Sequence, residues 1–391
     1  MPWKRVEMSE ERMRFAIEAS KADACLAQLC RQFGISRPTG YVWLKRYREG
    51  GALAVMTELS RRPRSSPKKV PEVVTEALKK ARQQRPDWGA RKLWLMLRKA
   101  DPKLPDCSKS TLQRILDREG LIAAGDRQQM ALQRFERERP NELWQMDFKG
   151  PQGFNKSIGP LSILDDFSRY LLALQHVSTN NTANVKTTLQ ATFEQCGLPE
   201  YMLLDHGKPW YDSVNRWGWT ELTVWILRQG VRLCFSGVRH PQTQGKIERM
   251  HGALQRAVRK RKPDVEQQQW LDEFRDEYNR VRPHEGIGMI TPATRWVASP
   301  RKFNPNPGDW AYPKDWPVVK LAGQGQLNYK GRRWEVSGAL RGQEVGLEFV
   351  GSRMLVHFCR MPVREIDLAT GANQALPGNP FRSLAGPQAG E

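Results

Sequence analysis

Apolar residues recur at helical spacing through the first third of the chain and at strand spacing near its end, with a mixed pattern between. From Met8 to Gly50 the period predicts three helices, Glu10–Ser20, Ala24–Phe33 and Arg37–Glu49, with Gly34 ending the second and Ser36 capping the third. Leu26, Leu29, Phe33 and Ile35 then share the inner side of a helix-turn-helix. Arg37, Thr39, Tyr41, Lys45 and Arg46 are left near the start and outer face of its second helix, within reach of base edges or phosphates. A small helical bundle with a solvated basic face would read the same way, and the turn and the charge together favour DNA. Residues 60–69 combine Pro, Ser and basic groups, a composition that buries no core and predicts a linker. Three more short helices follow, Pro71–Gln84, Ala90–Lys99 and Lys109–Glu119, the last capped by Ser108. They predict a second helix-turn-helix unit, with Arg91, Lys92, Lys109 and Arg114 as its candidate DNA contacts.

Past a charged connector, 129–141, strands and helices alternate. Strand character covers Glu142–Phe148, a long run Leu161–His176 around Asp165 and Asp166, Tyr201–Asp205 and Val231–Ser236. Helices are predicted over Asn184–Cys196, Trp217–Arg228 and Thr243–Arg261. This order implies a mixed α/β domain. After the Pro-rich stretch 301–317 the period becomes two, over Val318–Leu321, Gln326–Tyr329, Arg332–Val336, Glu344–Phe349, Arg353–Phe358 and Arg364–Asp367. Short strands between Gly-rich turns predict a small all-β barrel, followed by a disordered tail. The expected organisation is therefore 1–59 first helix-turn-helix domain, 60–69 basic linker, 70–128 second helix-turn-helix domain, 129–300 α/β catalytic core, 301–317 linker, 318–370 barrel and 371–391 tail.

Charge changes the picture from architecture to partner. Of 391 residues, 63 are Lys or Arg against 42 Asp or Glu, a net charge of +21 that attracts and steers a polyanion. Residues 1–128 hold 28 basic and 15 acidic residues, which makes the front third the main binding arm. Six scattered cysteines without a Cys-x-x-Cys pair, no secretory signal and no long apolar run predict a soluble, reduced, intracellular protein without a membrane partner.

The candidate chemistry lies in the α/β region. Asp147 sits in an apolar strand, Leu143-Trp-Gln-Met-Asp-Phe, where a lone carboxylate is costly unless paired or bound to a metal. Asp205 ends the next buried strand ahead of His206-Gly207. Glu248 lies on a helix between Lys246, Arg249 and His251, and Lys246 and Arg249 are read as contacts to bound DNA. Three acids from different elements suffice to hold two divalent ions at a phosphodiester, because Mg²⁺ takes hard oxygen ligands and keeps several waters. Asp165 and Asp166 are rival acids, read as structural, either paired with Arg169 or capping a turn. Glu221 is read as an exposed helix acid.

The motifs Trp144-Gln-Met-Asp147, Leu164-Asp-Asp-Phe-Ser-Arg-Tyr170, Leu204-Asp-His-Gly207, His240-Pro-Gln-Thr-Gln-Gly-Lys-Ile-Glu-Arg-Met-His251 and Tyr278-Asn-Arg-Val-Arg-Pro-His284 together resemble the DDE transposases of bacterial insertion sequences. These belong to the retroviral-integrase-like superfamily, and the likeness is to the insertion sequence 481 type, made from one reading frame. It covers roughly residues 10–370. The resemblance implies an RNase H-like core, a catalytic and metal-binding triad of Asp147, Asp205 and Glu248, two Mg²⁺ ions replaceable by Mn²⁺, and binding of terminal inverted repeats by the amino-terminal domains. It further implies double-stranded DNA as substrate and target, a homo-oligomer on DNA, and a bacterial cytoplasmic, nucleoid-associated location. Two features depart from the pattern. Asp205 and Glu248 stand 43 positions apart, which predicts an inserted turn or helix near Trp210–Trp219, and His206 occupies a place where relatives carry a small polar residue. No zinc-binding His/Cys domain precedes the core. The Tyr278–His284 motif is assigned no chemistry, and Lys330, Arg332 and Arg333 give the barrel either a DNA-contacting or a protein-contacting role.

The expected activity is hydrolysis at each element end followed by attack of the freed 3′-hydroxyl on target DNA. A DNA-binding regulator without the reaction is the alternative. A nuclease for RNA–DNA hybrids shares the core but leaves two helix-turn-helix arms unexplained.

Overall fold

The structure, a computed structural model, describes residues 8–58, 70–122, 136–154, 158–212, 218–236, 244–258 and 266–376. The linker 60–69, the first part of the connector 129–141, the opening of the His240 motif and the end of the tail lie outside the described residues. The chain forms two compact units, Met1–Val70 and Pro71–Glu391.

In the first unit α1 (Met8–Ala19), α2 (Leu26–Gln32) and α3 (Arg37–Met56) close around Phe15, Ala19, Cys30 and Leu44, with Leu26, Leu29, Phe33 and Ile35 packed against them. Gly34 follows α2 at φ +66°, and the Ser36 side chain accepts a hydrogen bond from the Thr39 N–H, as a C-cap and an N-cap require. Gly40 lets α3 approach: a Cβ there would stand 2.5 Å from Cys30 Sγ and 2.9 Å from Phe15 Cζ. The helix predicted to end at Glu49 continues to Met56 across a kink at Gly51.

The second unit opens with α4 (Glu72–Gln84), α5 (Ala90–Ala100) and α6 (Lys109–Arg118), which bury Val74, Leu78, Leu93, Trp94, Leu112 and Leu116. Ser108 caps α6 by accepting from the Thr111 N–H at 3.2 Å. The α/β domain carries β1 (Leu143–Phe148), β2 (Leu161–Asp165), β3 (Leu171–Gln175), β4 (Tyr201–Leu204) and β5 (Arg232–Phe235) in the order β3-β2-β1-β4-β5. The first three strands form an antiparallel meander, and β4 and β5 add in parallel beside β1. Alternation along β1 sends Trp144 and Met146 into a core with Val185, Leu189 and Phe193 of α7 (Thr182–Cys196) and Leu222 and Ile226 of α8 (Glu221–Arg228). The hairpin's Leu164, Leu171 and Leu174 instead pack with Ile247, Met250 and Leu254 of α9 (Gly245–Val258) and Leu271 and Phe274 of α10 (Gln267–Asp276).

Several boundaries differ from the sequence expectation. The long strand Leu161–His176 is two strands, because Asp165 closes a tight turn: its Oδ2 accepts from Ser168 N–H at 2.8 Å and Ser168 O–H at 2.6 Å. Arg169 in that turn takes φ 65°. Helix α8 begins at Glu221 rather than Trp217, where Thr220 and Thr223 form a reciprocal cap. The stretch 301–317 is no free tether. Leu198 N–H donates to Arg301 O at 2.8 Å, and Phe303 and Trp310 pack onto the core.

The C-terminal domain is all β: β6 (Val318–Lys320), β7 (Gln326–Tyr329), β8 (Arg332–Glu335), β9 (Glu344–Val350), β10 (Arg353–Phe358), β11 (Met361–Asp367) and β12 (Asn373–Ala375). Five strands form one antiparallel sheet, β12-β11-β10-β9-β6, and β7–β8 form a hairpin whose Leu327 joins its core. The tail expected to be disordered from residue 371 instead contributes β12, paired with β11. No helix among the described residues is long and apolar enough to cross a membrane.

Candidate active site

The three acids share one face of the sheet. Strands β1 and β4 run parallel with Gln145 paired to Leu203, so Asp147 and Asp205, each two residues further on, stand level on neighbouring strands. Two residues is one full strand period, which turns both carboxylates to the side that Gln145 and Leu203 occupy. Helix α9 crosses that side. The Ile247 N–H donates to Gln145 Oε1 at 3.3 Å, which sets the next residue, Glu248, over the strand ends.

Asp205 is held from one side only. Its Oδ1 accepts from the Gly207 N–H at 2.9 Å and from the Trp210 indole N–H at 2.6 Å, and among the described residues Oδ2 accepts no hydrogen bond. Trp210 is buried and stacks on Phe148 at 5.3 Å, so the donor is fixed by packing. Gly207 is small for a reason: a Cβ there would meet Asp205 Oδ1 at 2.9 Å. The expected insertion between Trp210 and Trp219 is in part a loop closed by an Asp212–Gly218 bridge; residues 213–217 lie outside the described residues. His206, whose role the sequence left open, lies edge-on to Tyr211 at 4.5 Å in an aromatic cluster with Phe235.

Asp147 is pushed up to about 7, first by burial and then by the charges of Asp205 and Glu248. Burial also raises Glu248, whose side chain is exposed on α9. One helical turn on, the buried His251 has its Nε2 3.0 Å from Ser162 Oγ and its Nδ1 3.8 Å from Asp147 Oδ2. Burial, then Lys149, lowers this imidazole to about 3, so it stands neutral beside the carboxylate and the contact is not an ion pair. A carboxyl raised by burial and by two further acid charges beside it fits a divalent cation, which would replace its proton. Among the described residues no three His, Cys, Asp or Glu side chains are already drawn together as a ligand set. Mg²⁺ takes few protein oxygens and keeps several waters, so it does not need such a closed set.

Behind them lies a buried polar layer. Asp166 accepts from the Arg137 N–H at 3.0 Å and from Gln145 Nε2 at 2.9 Å, and pairs with Lys246. Asp165 accepts from Asn141 N–H at 2.7 Å as well as from Ser168. Both rival acids are taken up in these buried hydrogen bonds, and Arg169 pairs with Glu136 at 3.0 Å.

Of the candidate DNA contacts, Arg37, Thr39, Tyr41 and Lys45 are exposed on α3, while Arg46 folds over the Trp43 ring at 4.8 Å. Thr39 Oγ1 also lies 2.8 Å from Ser36 Oγ. Arg91, Lys109, Arg114 and Arg249 are exposed. Lys246 corrects the expectation. With a 13% exposed side chain its ammonium turns inward to Asp166, and burial lowers it to about 8, so its task is to seat the start of α9. Lys92 is half-buried and lowered to about 8 by burial and then by Arg282. It shares its surroundings with Arg256 of α9, so α5 and α9 present adjoining positive charge. Gln145, Trp210, Ser162 and Asp166 were not singled out by sequence as site-shaping groups. A glutamine inside an apolar strand two residues ahead of Asp147 was the signal for the first.

Comparison with known proteins follows the same division. Two integrase core domain families match residues 137–241 and 229–292, and two homeodomain-like domain families match residues 9–55 and 39–116. Among solved structures, the simian T-cell lymphotropic virus intasome in complex with the PP2A regulatory subunit B56 gamma is similar at 16% identity, over 76% of this chain and 95% of that one, with a TM-score of 0.37. The HTLV-2 integrase catalytic core domain in complex with magnesium, in its trimeric form, matches at 14% identity over 40% of this chain and 97% of that one, with a TM-score of 0.33. The BIV integrase catalytic core domain matches at 21% identity over 39% and 92%, with a TM-score of 0.32.

Proposed function

We propose that this chain, whose integrase core domain matches at 137–241 and 229–292 stand behind homeodomain-like matches at 9–55 and 39–116, is a DNA transposase of the retroviral-integrase-like superfamily, of the insertion sequence 481 type, acting on the ends of its own element. The observation that supports this reading is the β1–β4 register, which sets Asp147 level with Asp205, with Asp147 raised first by burial and then by the charges of Asp205 and Glu248. Two divalent ions, Mg²⁺ or Mn²⁺, supply charge neutralisation at a phosphodiester and activation of the attacking oxygen when bound there.

The chain's own residues do the rest. Asp147 and Asp205 offer oxygens from adjacent strands, and Glu248 closes the site from α9. The indole of Trp210 and the amide of Gly207 hold Asp205 so that one oxygen faces the site. Neutral His251 keeps α9 against Ser162 and Asp147 without adding a competing charge. Arg37, Thr39, Tyr41, Lys45 and Arg46 of the first unit, and Arg91, Lys92, Lys109 and Arg114 of the second, bind the terminal repeats, with Arg249 holding the DNA beside Glu248. Hydrolysis frees a 3′-hydroxyl at each end, and that hydroxyl attacks target DNA without a covalent protein intermediate. Pairing two ends requires at least two copies on DNA, working in the bacterial cytoplasm at the nucleoid.

The experiment is Mg²⁺-dependent cleavage and joining of duplexes carrying the inverted repeats beside the gene, with wild type compared to Glu248→Gln. Joined products from wild type alone support the reading. Binding of those ends with no cleavage by either protein leaves a DNA-binding regulator in its place.

A further inference from the structure

The motif Tyr278-Asn-Arg-Val-Arg-Pro-His284 takes no part in that chemistry, yet its side chains bond to two other parts of the second unit. After α10 the chain passes into a π-helical turn, Glu277–Val281, an uncommon backbone form that is concentrated at functional places. The wider turn gives the motif two working sides. On one side Asn279, 3% exposed, accepts from Leu171 N–H at 2.8 Å and donates to Leu171 O at 2.9 Å. Its amide pairs with the edge strand β3 as a further strand would, and so helps cover that edge beside Gln268, which bonds Leu174 O and His176 N–H. On the other side Arg282, 6% exposed, places Nη1 2.5 Å from Asp87 Oδ2. Its guanidinium also lies 5.6 Å from the ring of Trp88, which is buried, while Arg85 lies 5.1 Å from that ring and pairs with Glu277 at 3.0 Å.

Arg85, Asp87 and Trp88 form the connection between α4 and α5. One short segment therefore grips the edge of the catalytic sheet with Asn279 and the helical trio α4–α6 with Arg282. The Asp87–Arg282 pair is 13% and 7% exposed at its side chains, so removing one partner strands the other's charge in a poorly solvated place, unlike loss of a surface pair. We propose that Asn279 and Arg282 are positioning residues of a joint that docks the unit α4–α6 on the catalytic sheet and so sets which phosphodiester of a bound DNA end meets the three acids. The cutting-position part of this rests on the transposase reading; the docking part does not.

The test uses the full chain and compares wild type, Arg282→Asp, Asp87→Arg and the double exchange by two readouts. Amide hydrogen exchange over α4–α6 reports docking, and end duplexes report the position and yield of cuts per bound molecule. Each single variant is expected to exchange roughly tenfold faster over α4–α6 and to cut less or at neighbouring phosphodiesters, with both effects reversed in the double exchange. Should a charge reversal fail to fold, Asp87→Asn keeps the shape and carries the same expectation in milder form. Unchanged exchange in Arg282→Asp overturns the joint. Faster exchange with cuts unmoved and undiminished overturns the positioning role. A wild type that binds ends and cuts none overturns the transposase reading and the positioning role with it, while exchange still decides the joint.

Discussion

Trp210 donates its indole N–H to Asp205 Oδ1 at 2.6 Å while its ring stacks on Phe148, so an apolar contact aims the carboxylate proposed as a metal ligand. Trp210→Phe keeps the stacking and loses the donor. A hydrogen bond to a charged group contributes about 1.5–3 kcal/mol, so the variant should bind Mg²⁺ or Mn²⁺ roughly tenfold to a hundredfold more weakly. Calorimetric titration of metal into the DNA-free protein measures this, and unchanged affinity would remove the aiming role.

Gly207→Ala places a methyl 2.9 Å from Asp205 Oδ1, and Trp210 blocks the carboxylate's retreat along its present hydrogen bond. The position does not need a left-handed backbone. Cleavage should fall at least about tenfold while thermal stability changes by under about 1 kcal/mol. An active Gly207→Ala protein would show that the carboxylate has room the structure does not give it.

Without metal, stability should depend on pH through Asp147. Its folded value, about 7, lies above the ordinary aspartate value of 3.8, so between them the folded state holds a proton that the unfolded state has released. Stability from this group is complete below about 4 and is lost as pH rises through about 7, to a limit of roughly 4 kcal/mol for a shift of this size. Divalent metal favours the ionised carboxylate, so Mg²⁺ should raise the melting temperature more at pH 8 than at pH 5. Melting curves with and without Mg²⁺ across that range check the sign, and Asp147→Asn should abolish the difference.

Arg37 and Lys45 project from α3 into solvent, and Lys45 has only a weak 3.7 Å pairing with Glu49. Replacing either with Ala should weaken binding to all duplexes alike and reduce the salt slope of log K by about one if it meets a phosphate. A change confined to one duplex sequence would instead assign that side chain to base reading.

Helices were legible in the sequence because their apolar period and caps are local: Gly34, Ser36 and Ser108 stand where the turns and caps form. Asp147 stood out because it interrupts an apolar strand. What escaped notice is non-local. The turn between β2 and β3 lacks Gly and Pro and is made by Asp165 reaching forward to Ser168, so an apolar run on both sides concealed it. Lys246 read as a surface cation because its partner, Asp166, is 80 residues away in sequence. Strand β12 is short and polar, and exists through its pairing with β11. The roles of Gln145, Trp210 and His251 likewise depend on partners that only folding brings near.

The level placement of Asp147 and Asp205 sets a rule for insertions and deletions. The chain between β1 and β4 passes through a hairpin, a helix and loops on the far side of the pairing, and its length does not enter the distance between the two carboxylates. The runs from Leu143 to Asp147 and from Tyr201 to Asp205 do. One residue added or lost inside either run turns its carboxylate through the sheet to the α7 side. Working variants of this chain should therefore tolerate length changes in the loop 149–160 and at the turn before α7, and none within either strand.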